Sequence, residues 1–478
     1  MNNAIFRAND IRGVAQRDLT PNVTRKLGWA LGQWLEQQGH HNPRIFIGID
    51  ARPHSPGIAD EVVSGLLRYP CQITHGGLTT SPVSYFAGFA PGGAYDATIM
   101  ITGSHNPPQH NGLKITHRGQ GLERNQLQQL RQIATQDIAP TEQPMKGSLR
   151  HHSLNPTYLD YVQKKFSSLA GLKIGLDSAN STVGLLAPEL FRRLGAKVFD
   201  LYSHVDGRFP NHHPDPTIPA NLQDLQQLVQ QEGLDAGFGF DGDGDRIGVV
   251  IPDPWGNEPK ILWSDQLLLL FARDMARQQP QRLFTVVSEV KCSQLMYDQL
   301  DALPGVETIM WKAGHSFIKS RMRQSGALLG GEMSGHIFFA DEYLGFDDAL
   351  YAACRFSRML QGGMNICQEL ADFSTIASTP EIRLEVTEEE KTIVVESLAN
   401  QLQDPVQQHR HGIVEIIDID GLRLRFTDGS WALIRASNTQ PAVVMRVEAP
   451  TVELMNHYQE FLQNHMRQCL KTAGEMTR

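Results

Sequence analysis

The chain has 478 residues, a formal net charge of −9 and 41% hydrophobic residues, enough to bury several cores at about 100–200 residues per domain. That charge argues against nucleic acid as a main partner while leaving room for a local basic pocket that takes a small anion. The longest apolar run, LLLLFA at 267–272, is far below the roughly 20 residues of a membrane span. Five scattered cysteines with no C-x-x-C pair, and histidine pairs without zinc-finger spacing, argue against a disulfide framework or a zinc site. The opening MNNAIFRAND lacks the charged and apolar regions of a signal peptide, so a soluble protein of the cytoplasm is expected.

In chain order, TRKLGWALGQWLEQQG (24–39) has helical periodicity and RIFIGID (44–50) and ATIMITG (97–103) read as buried strands. LKIGLD (172–177), AKVFDLY (196–202) and RLFTVVSE (282–289) repeat the strand pattern, alternating with helical LLAPELFRRLGA (185–196) and SDQLLLLFARDMARQQ (264–279), the latter with Ser264 as its N-cap. Such alternation predicts an α/β class. Turn-rich stretches place boundaries near 149–157, 251–259 and 367–378. The last hundred residues differ. EIRLEVTEEE, GIVEIIDIDGLRLRF and SWALIRAS read as an antiparallel hairpin region before a helix, TVELMNHYQEFLQNHMRQCLKTA, which predicts an appended α+β domain.

Four stretches carry candidate chemistry. In IMITGSHNPPQHNGLK (99–114), Ser104 follows a buried strand and should project from the carboxyl end of the sheet, as a nucleophile or as a turn residue capped by His105 and Asn106. No G-x-S-x-G elbow is present, and Pro107 and Pro108 lack the amides an oxyanion hole needs. AGFGFDGDGDRIGVV (236–250) reads as two strands joined by a loop whose glycines let Asp241, Asp243 and Asp245 converge. Carboxylates about 4 Å apart repel by roughly 4 kcal/mol at an effective dielectric of 20, so a hard divalent cation is the fitting occupant, against the alternative of a solvated acidic turn. The EF-hand pattern fails, because its sixth position is Arg246 and its twelfth Pro252. GGEMSGHIFF (330–339) alternates Glu332, Ser334 and His336, either an acceptor, a hydroxyl and a proton carrier that can face one way or a polar strand end. RASNTQP (435–441) groups Arg435, Ser437, Asn438 and Thr439, suited to a phosphate or to a capped turn.

Taken in series, these motifs resemble the α-D-phosphohexomutases, in the phosphomannomutase/phosphoglucomutase branch, over essentially the whole chain. The resemblance implies three related α/β domains and a smaller C-terminal α+β domain around a central active-site cleft. Its expected bounds are 1–151 with the phosphoserine loop, 152–253 with the metal-binding loop, 254–368 with the sugar-binding loop and 369–478 with the phosphate-binding loop. It implies that Ser104 carries the phosphoryl group and that Ser104, Asp241, Asp243 and Asp245 hold one Mg²⁺ per subunit, with Arg246 beside the phosphate. Glu332 and Ser334 would read sugar hydroxyls, and Arg435, Ser437, Asn438 and Thr439 the non-reacting phosphate. Arg12 in NDIRG, Lys114 in NGLK, and Lys312 and His315 in WKAGHSFIK match further site positions, and Arg12, Lys114 and His336 are candidates for handling the hydroxyl proton.

The implied reaction interconverts hexose 1- and 6-phosphates of mannose, glucose or both, through a hexose 1,6-bisphosphate that is intermediate and activator. Partners would be small hexose phosphates, with no nucleic acid or membrane, and the protein a monomer or weak dimer. Relatives specific for glucosamine phosphate usually carry glutamine where this chain has Met333, which weighs against phosphoglucosamine mutase. A metal-dependent sugar phosphatase and a non-catalytic sugar-phosphate sensor are two rival classes that the same residues could serve. Departures from the family pattern fall at Asn9, at DSANSTVG (177–184), at Ala220 and at Gln440.

Overall fold

The computed structural model describes the chain apart from residues 8, 137–143, 254–256, 438–440 and 477–478, together with the side chains of 388 and 471–476. The chain divides into two compact units: residues 1–264 with 334–364, and residues 265–333 with 365–478.

The first unit holds two sheets. In one, the strands run in the order Ile11–Val14, His110–His117, Ala97–Ile101, Arg44–Ile49, Gln72–Leu78, Ser148–His151, with Gln120–Gly121 on the flank. The inner strands are parallel, but Ala97–Ile101 turns back antiparallel into His110–His117, which leaves residues 102–109 as a loop at the carboxyl end of Ala97–Ile101. Helix Pro21–Gln37 starts at Thr20, whose hydroxyl caps the Val23 amide, with proline in its first turn. Leu27, Leu31, Trp34 and Leu35 recur at helical spacing and are at most 1% exposed, so this face is core.

The second sheet is ordered Lys260–Leu262, Ile247–Ile251, Ala236–Phe240, Lys173–Asp177, Lys197–Leu201. Ala236–Phe240 and Ile247–Ile251 form the expected antiparallel hairpin, in the register Phe240 opposite Ile247, so residues 241–246 are its connection. The helix read over 185–196 is shorter: a 3₁₀ turn, Thr182–Leu185, precedes helix Ala187–Arg193, with a proline at the helix start.

In the second unit, Val306–Trp311, Phe284–Glu289 and Leu329–Gly331 are parallel strands flanked by helices. Residues 377–449 build a six-stranded antiparallel sheet covered by helix Val452–Met476. Ser264 is the first residue of helix Ser264–Gln278 rather than its cap, a one-residue difference. One expectation is corrected. EIRLEVTEEE is a strand only over Ile382–Glu385, and a helix, Glu388–Leu402, follows. Thr387 and Glu390 close a capping box, which ends the strand and starts the helix. Among the described residues no helix is long and apolar enough to cross a membrane, and none of the five cysteines forms a disulfide.

A buried carboxylate pins the 334–364 segment to the rest of the first unit. Asp348 caps helix Ala349–Gln361 at the Tyr351 amide, and accepts the hydroxyls of Tyr158 at 2.8 Å and Tyr343 at 2.6 Å. Burial outweighs these bonds and raises its pKa from 3.8 to about 6. The folded state therefore binds the extra proton between those values, and the group's contribution to stability falls as pH rises through that window. Asp348→Asn removes this dependence. Relative to the parent, the variant is expected to gain about 3 kcal/mol on going from below pH 4 to pH 7. Calorimetry of both proteins across that range checks it, and parallel pH profiles would contradict it.

Candidate active site

The aspartate loop is shaped by its own first carboxylate. Asp241 Oδ1 accepts the amides of Gly244, Asp245 and Arg246 at 2.9, 3.1 and 3.2 Å, curling the connection so that three side chains turn inward. Asp241, Asp243 and Asp245 are fully buried, and each offers one oxygen within 4.8 Å of the others. Lys114 Nζ donates to Asp243 Oδ2 at 2.7 Å and to Asp245 Oδ2 at 2.5 Å. Burial works against the Lys114 charge, but the two aspartates prevail and hold its pKa well above the ordinary lysine range.

One ammonium does not balance the cluster. Burial first, then Asp243 and Asp245, push the Asp241 carboxyl well above the usual carboxylate range despite Arg246 and Lys114. Asp243 Oδ1 is buried without a hydrogen-bond donor. An all-oxygen set with surplus negative charge and an unsatisfied carboxylate oxygen fits a small hard divalent cation.

Ser104 lies against this cluster. Its Oγ donates to Asp241 Oδ2 at 2.9 Å and lies 3.1 Å from His105 Nδ1. Since the serine hydrogen is given to Asp241, the compatible His105 tautomer carries its proton on Nδ1. Burial, and then the positive fields of Arg246 and Arg12, with His336 and Lys114 contributing less, depress the His105 pKa well below its usual value, which keeps the ring neutral. Ser104 itself has φ of +50°, a left-handed conformation that costs a non-glycine residue about 1–2 kcal/mol. The two loops touch at Gly242, where a Cβ would come within 2.5 Å of the Ser104 carbonyl oxygen, so only glycine fits.

Further candidates line the same cluster. Arg12 Nη1 donates to the Gly103 carbonyl at 3.3 Å, and its Nη2 pairs with Asp10 at 2.5 Å. Arg246 Nε is buried without an acceptor. His336 places Nε2 3.3 Å from Asp245 Oδ1, and its Nδ1 meets Ser334 Oγ at 2.9 Å. The first unit thus gathers Ser104, the three aspartates, Lys114, Arg12, Arg246, Ser334 and His336. Sequence reading missed Ser81, which donates its hydroxyl to Asp243 Oδ2 at 2.5 Å and its amide to the Asp243 carbonyl. It also missed Asp347, whose Oδ2 lies 3.9 Å from His336 Nε2.

The second unit gathers another group. Glu332 Oε1 accepts the Gly314 amide at 2.5 Å, between Ala313 and His315. Arg435, on strand Trp431–Ala436, is held by Asp420 through Nε at 3.1 Å and Nη2 at 3.3 Å, and Asp420 Oδ2 also accepts the Ala313 amide at 2.9 Å. Asp420 therefore ties the Lys312–His315 turn to Arg435. Lys312 is exposed and His315, the first residue of helix His315–Ser325, is partly exposed. The Ser437 amide donates to the Ala442 carbonyl, and its own carbonyl accepts Lys391 Nζ at 3.0 Å. Asn438 and Thr439 lie outside the described residues. Asp420 and Glu289, whose Oε1 accepts the Met333 amide at 3.0 Å, were not singled out from sequence. A lone acidic residue in a strand or turn carries no local signal of such a contact.

Comparison with known proteins bears on all four domains. The chain matches phosphoglucomutase/phosphomannomutase alpha/beta/alpha domain I over residues 3–140, domain II over 156–256, domain III over 263–376 and the C-terminal domain over 381–465. It is 37% identical over 466 residues to the phosphomannomutase/phosphoglucomutase of Pseudomonas aeruginosa, covering 97% of this chain and 96% of that protein. The chain belongs to the phosphoglucomutase/phosphomannomutase family. A phosphoglucomutase of Neisseria gonorrhoeae is 38% identical over 450 residues, 94% of this chain and 93% of that one. The crystal structure of a phosphoglucomutase/phosphomannomutase family protein from Burkholderia thailandensis superposes with a TM-score of 0.86 at 33% identity, covering 99% of this chain and 98% of the other. As a member of this family the chain is an enzyme, an isomerase of the phosphotransferase kind acting on hexose phosphates, built from three α/β domains and a C-terminal one.

Proposed function

We propose that the enzyme interconverts the 1- and 6-phosphates of mannose and glucose through phosphoserine 104 and a hexose 1,6-bisphosphate. The observation that carries this reading is Ser104 Oγ, 2.9 Å from the buried aspartate triad and on a strained loop directly after a strand. Asp241, Asp243 and Asp245, with the phosphoserine oxygen, would hold Mg²⁺, which supplies charge neutralisation at the departing phosphoryl group.

The phosphoserine gives its phosphoryl group to the free sugar hydroxyl. The P–O bond to Ser104 breaks as the bond to the sugar oxygen forms. Of the three candidates for handling the hydroxyl proton, a neutral His336 ring is the one able to accept it, since Asp243 and Asp245 keep Lys114 protonated and Asp10 pairs with the Arg12 cation. Lys114 and Arg246 offset the charge that develops. After the bisphosphate turns end for end, Ser104 takes back the other phosphate. Glu332 and Ser334 would read sugar hydroxyls, Lys312 and His315 would line the substrate, and Arg435, Ser437, Asn438 and Thr439 would grip the distant phosphate. The four domains would fall at 1–151, 152–253, 254–368 and 369–478.

Arg435→Ala is expected to raise KM for a hexose 1-phosphate about 100-fold, with a smaller change in kcat, because a two-pronged arginine–phosphate contact is formed in ground and transition state alike. Initial-rate kinetics check this, and an unchanged KM would contradict it.

Glucose and mannose share the hydroxyls at C3 and C4 and differ at C2, so a site that reads C3 and C4 accepts both, within about tenfold. Met333 stands where glucosamine-specific relatives usually carry glutamine. Comparing kcat/KM for mannose, glucose and glucosamine 1-phosphates tests the assignment, and a clear preference for the amino sugar would replace it with phosphoglucosamine mutase.

A further inference from the structure

The loop that carries Ser104 has little regular structure of its own. Residues 102–109 include two prolines without amide hydrogens and one left-handed serine, so its backbone oxygens need partners from elsewhere. One side chain supplies most of them. Arg52 is completely buried, yet no sequence motif marks it. Its Nη2 donates to the carbonyls of Ser104 at 2.7 Å and Asn106 at 2.6 Å, and its Nη1 to those of Pro107 at 2.7 Å and His110 at 3.1 Å. Nε is bound by Asp50 Oδ2 at 3.1 Å, and the same oxygen accepts the Gly103 amide at 3.1 Å. Asp50 is in turn held by Ser55 Oγ at 2.5 Å. The guanidinium packs so closely on Gly103 that a Cβ there would lie 2.5 Å from both Cζ and Nε.

We propose that Arg52 is the positioning residue of the phosphoserine loop: its planar fork gathers four carbonyl oxygens, so that the serine side chain meets the aspartate cluster while its carbonyl is held elsewhere. A carbonyl oxygen turned toward a phosphoserine dianion would repel it, and Arg52 commits the Ser104 and Asn106 oxygens to a cation instead. Lysine keeps the charge but has no planar fork and only three donors, so it cannot reproduce the five hydrogen bonds of the side chain. The role rests on the reading of Ser104 as the phosphoryl carrier.

Arg52→Lys tests it in the full-length enzyme with three readouts: hydrogen exchange, steady-state kinetics with glucose 1-phosphate, and phosphate on Ser104 after incubation with glucose 1,6-bisphosphate. The expected result is at least tenfold faster exchange confined to peptides covering 102–112. With it should come a fall in kcat of about 100-fold, the scale of a 1 Å misplacement, KM within about threefold, and reduced phosphoserine. Exchange in the loop equal to the parent's overturns the proposal whatever the activity. Faster local exchange with unchanged kcat, faster exchange also in strand Phe284–Glu289, or a raised KM at constant kcat overturns it as well. If Arg52→Lys does not fold, Gly103→Ala, which drives a methyl group into the guanidinium without removing charge, is read by the same criteria. A parent enzyme that never carries phosphate on Ser104 refutes the functional reading instead, while the exchange measurement still decides whether Arg52 holds the loop.

Discussion

Ser104→Ala is expected to lower mutase turnover by at least about 10³-fold while leaving hexose phosphate binding nearly intact. A mutase that works through an enzyme-bound phosphoryl group needs an oxygen to carry it, and no other hydroxyl is hydrogen-bonded both to Asp241 and to His105 among the described contacts. Ser81, the other hydroxyl on the triad, is bound to Asp243 and lies in the first turn of helix Ser81–Ala87, whereas Ser104 sits on a loop in a left-handed conformation. The substitution removes one hydrogen bond to Asp241, about 1 kcal/mol, so the fold should persist. Isothermal titration with glucose 1-phosphate separates binding from chemistry. Turnover within tenfold of the parent would show that Ser104 is not the phosphoryl carrier.

The second large effect is expected from Asp243→Asn, with Mg²⁺ affinity reduced at least about tenfold and turnover reduced by about 10²–10³-fold. Asp243 Oδ1 is a buried carboxylate oxygen without a hydrogen-bond donor, so it is available to a cation, while Oδ2 is shared by Lys114 and Ser81. Asparagine keeps the shape and removes the charge. It also relieves repulsion on Asp241, whose pKa is raised by burial and then by Asp243 and Asp245. The variant is therefore expected to be at least as stable as the parent in chelator, and less responsive to added Mg²⁺ in thermal unfolding. A variant that turns over normally in chelator would make the triad structural.

What could be read from sequence was local. The aspartate hairpin and the strand before Ser104 each lie within a short segment, and the structure brings Ser104, Asp241, Asp243, Asp245, Lys114 and His336 into one cluster. Arg52, Asp50 and Ser81 were invisible because they act on backbone groups or side chains far along the chain. Arg52 reaches residues 52 to 58 positions away, and Ser81 reaches one 162 away. Asp420 likewise joins Ala313 to Arg435, contacts that only tertiary structure creates. The misreading of EIRLEVTEEE has a different cause. The β-branched and charged alternation of its first half was extended across Thr387, although a threonine followed three residues later by glutamate is a helix start. Alternation suggested that Glu332, Ser334 and His336 can face one way. They lie in the connection between strands Leu329–Gly331 and Ile337–Phe339, with Glu332 fixed by the Gly314 amide and His336 by Ser334 and Asp245.

The central claim is that a phosphoryl group passes from Ser104 to the sugar and back. Enzyme labelled on Ser104 with ³²P, freed of excess label and mixed with unlabelled glucose 1-phosphate for a single turnover, tests it most directly. The account predicts that the label leaves the protein and appears in glucose 1,6-bisphosphate and glucose 6-phosphate, with inorganic phosphate a minor product. Label released chiefly as inorganic phosphate, or retained on the protein while isomerisation proceeds, would contradict it.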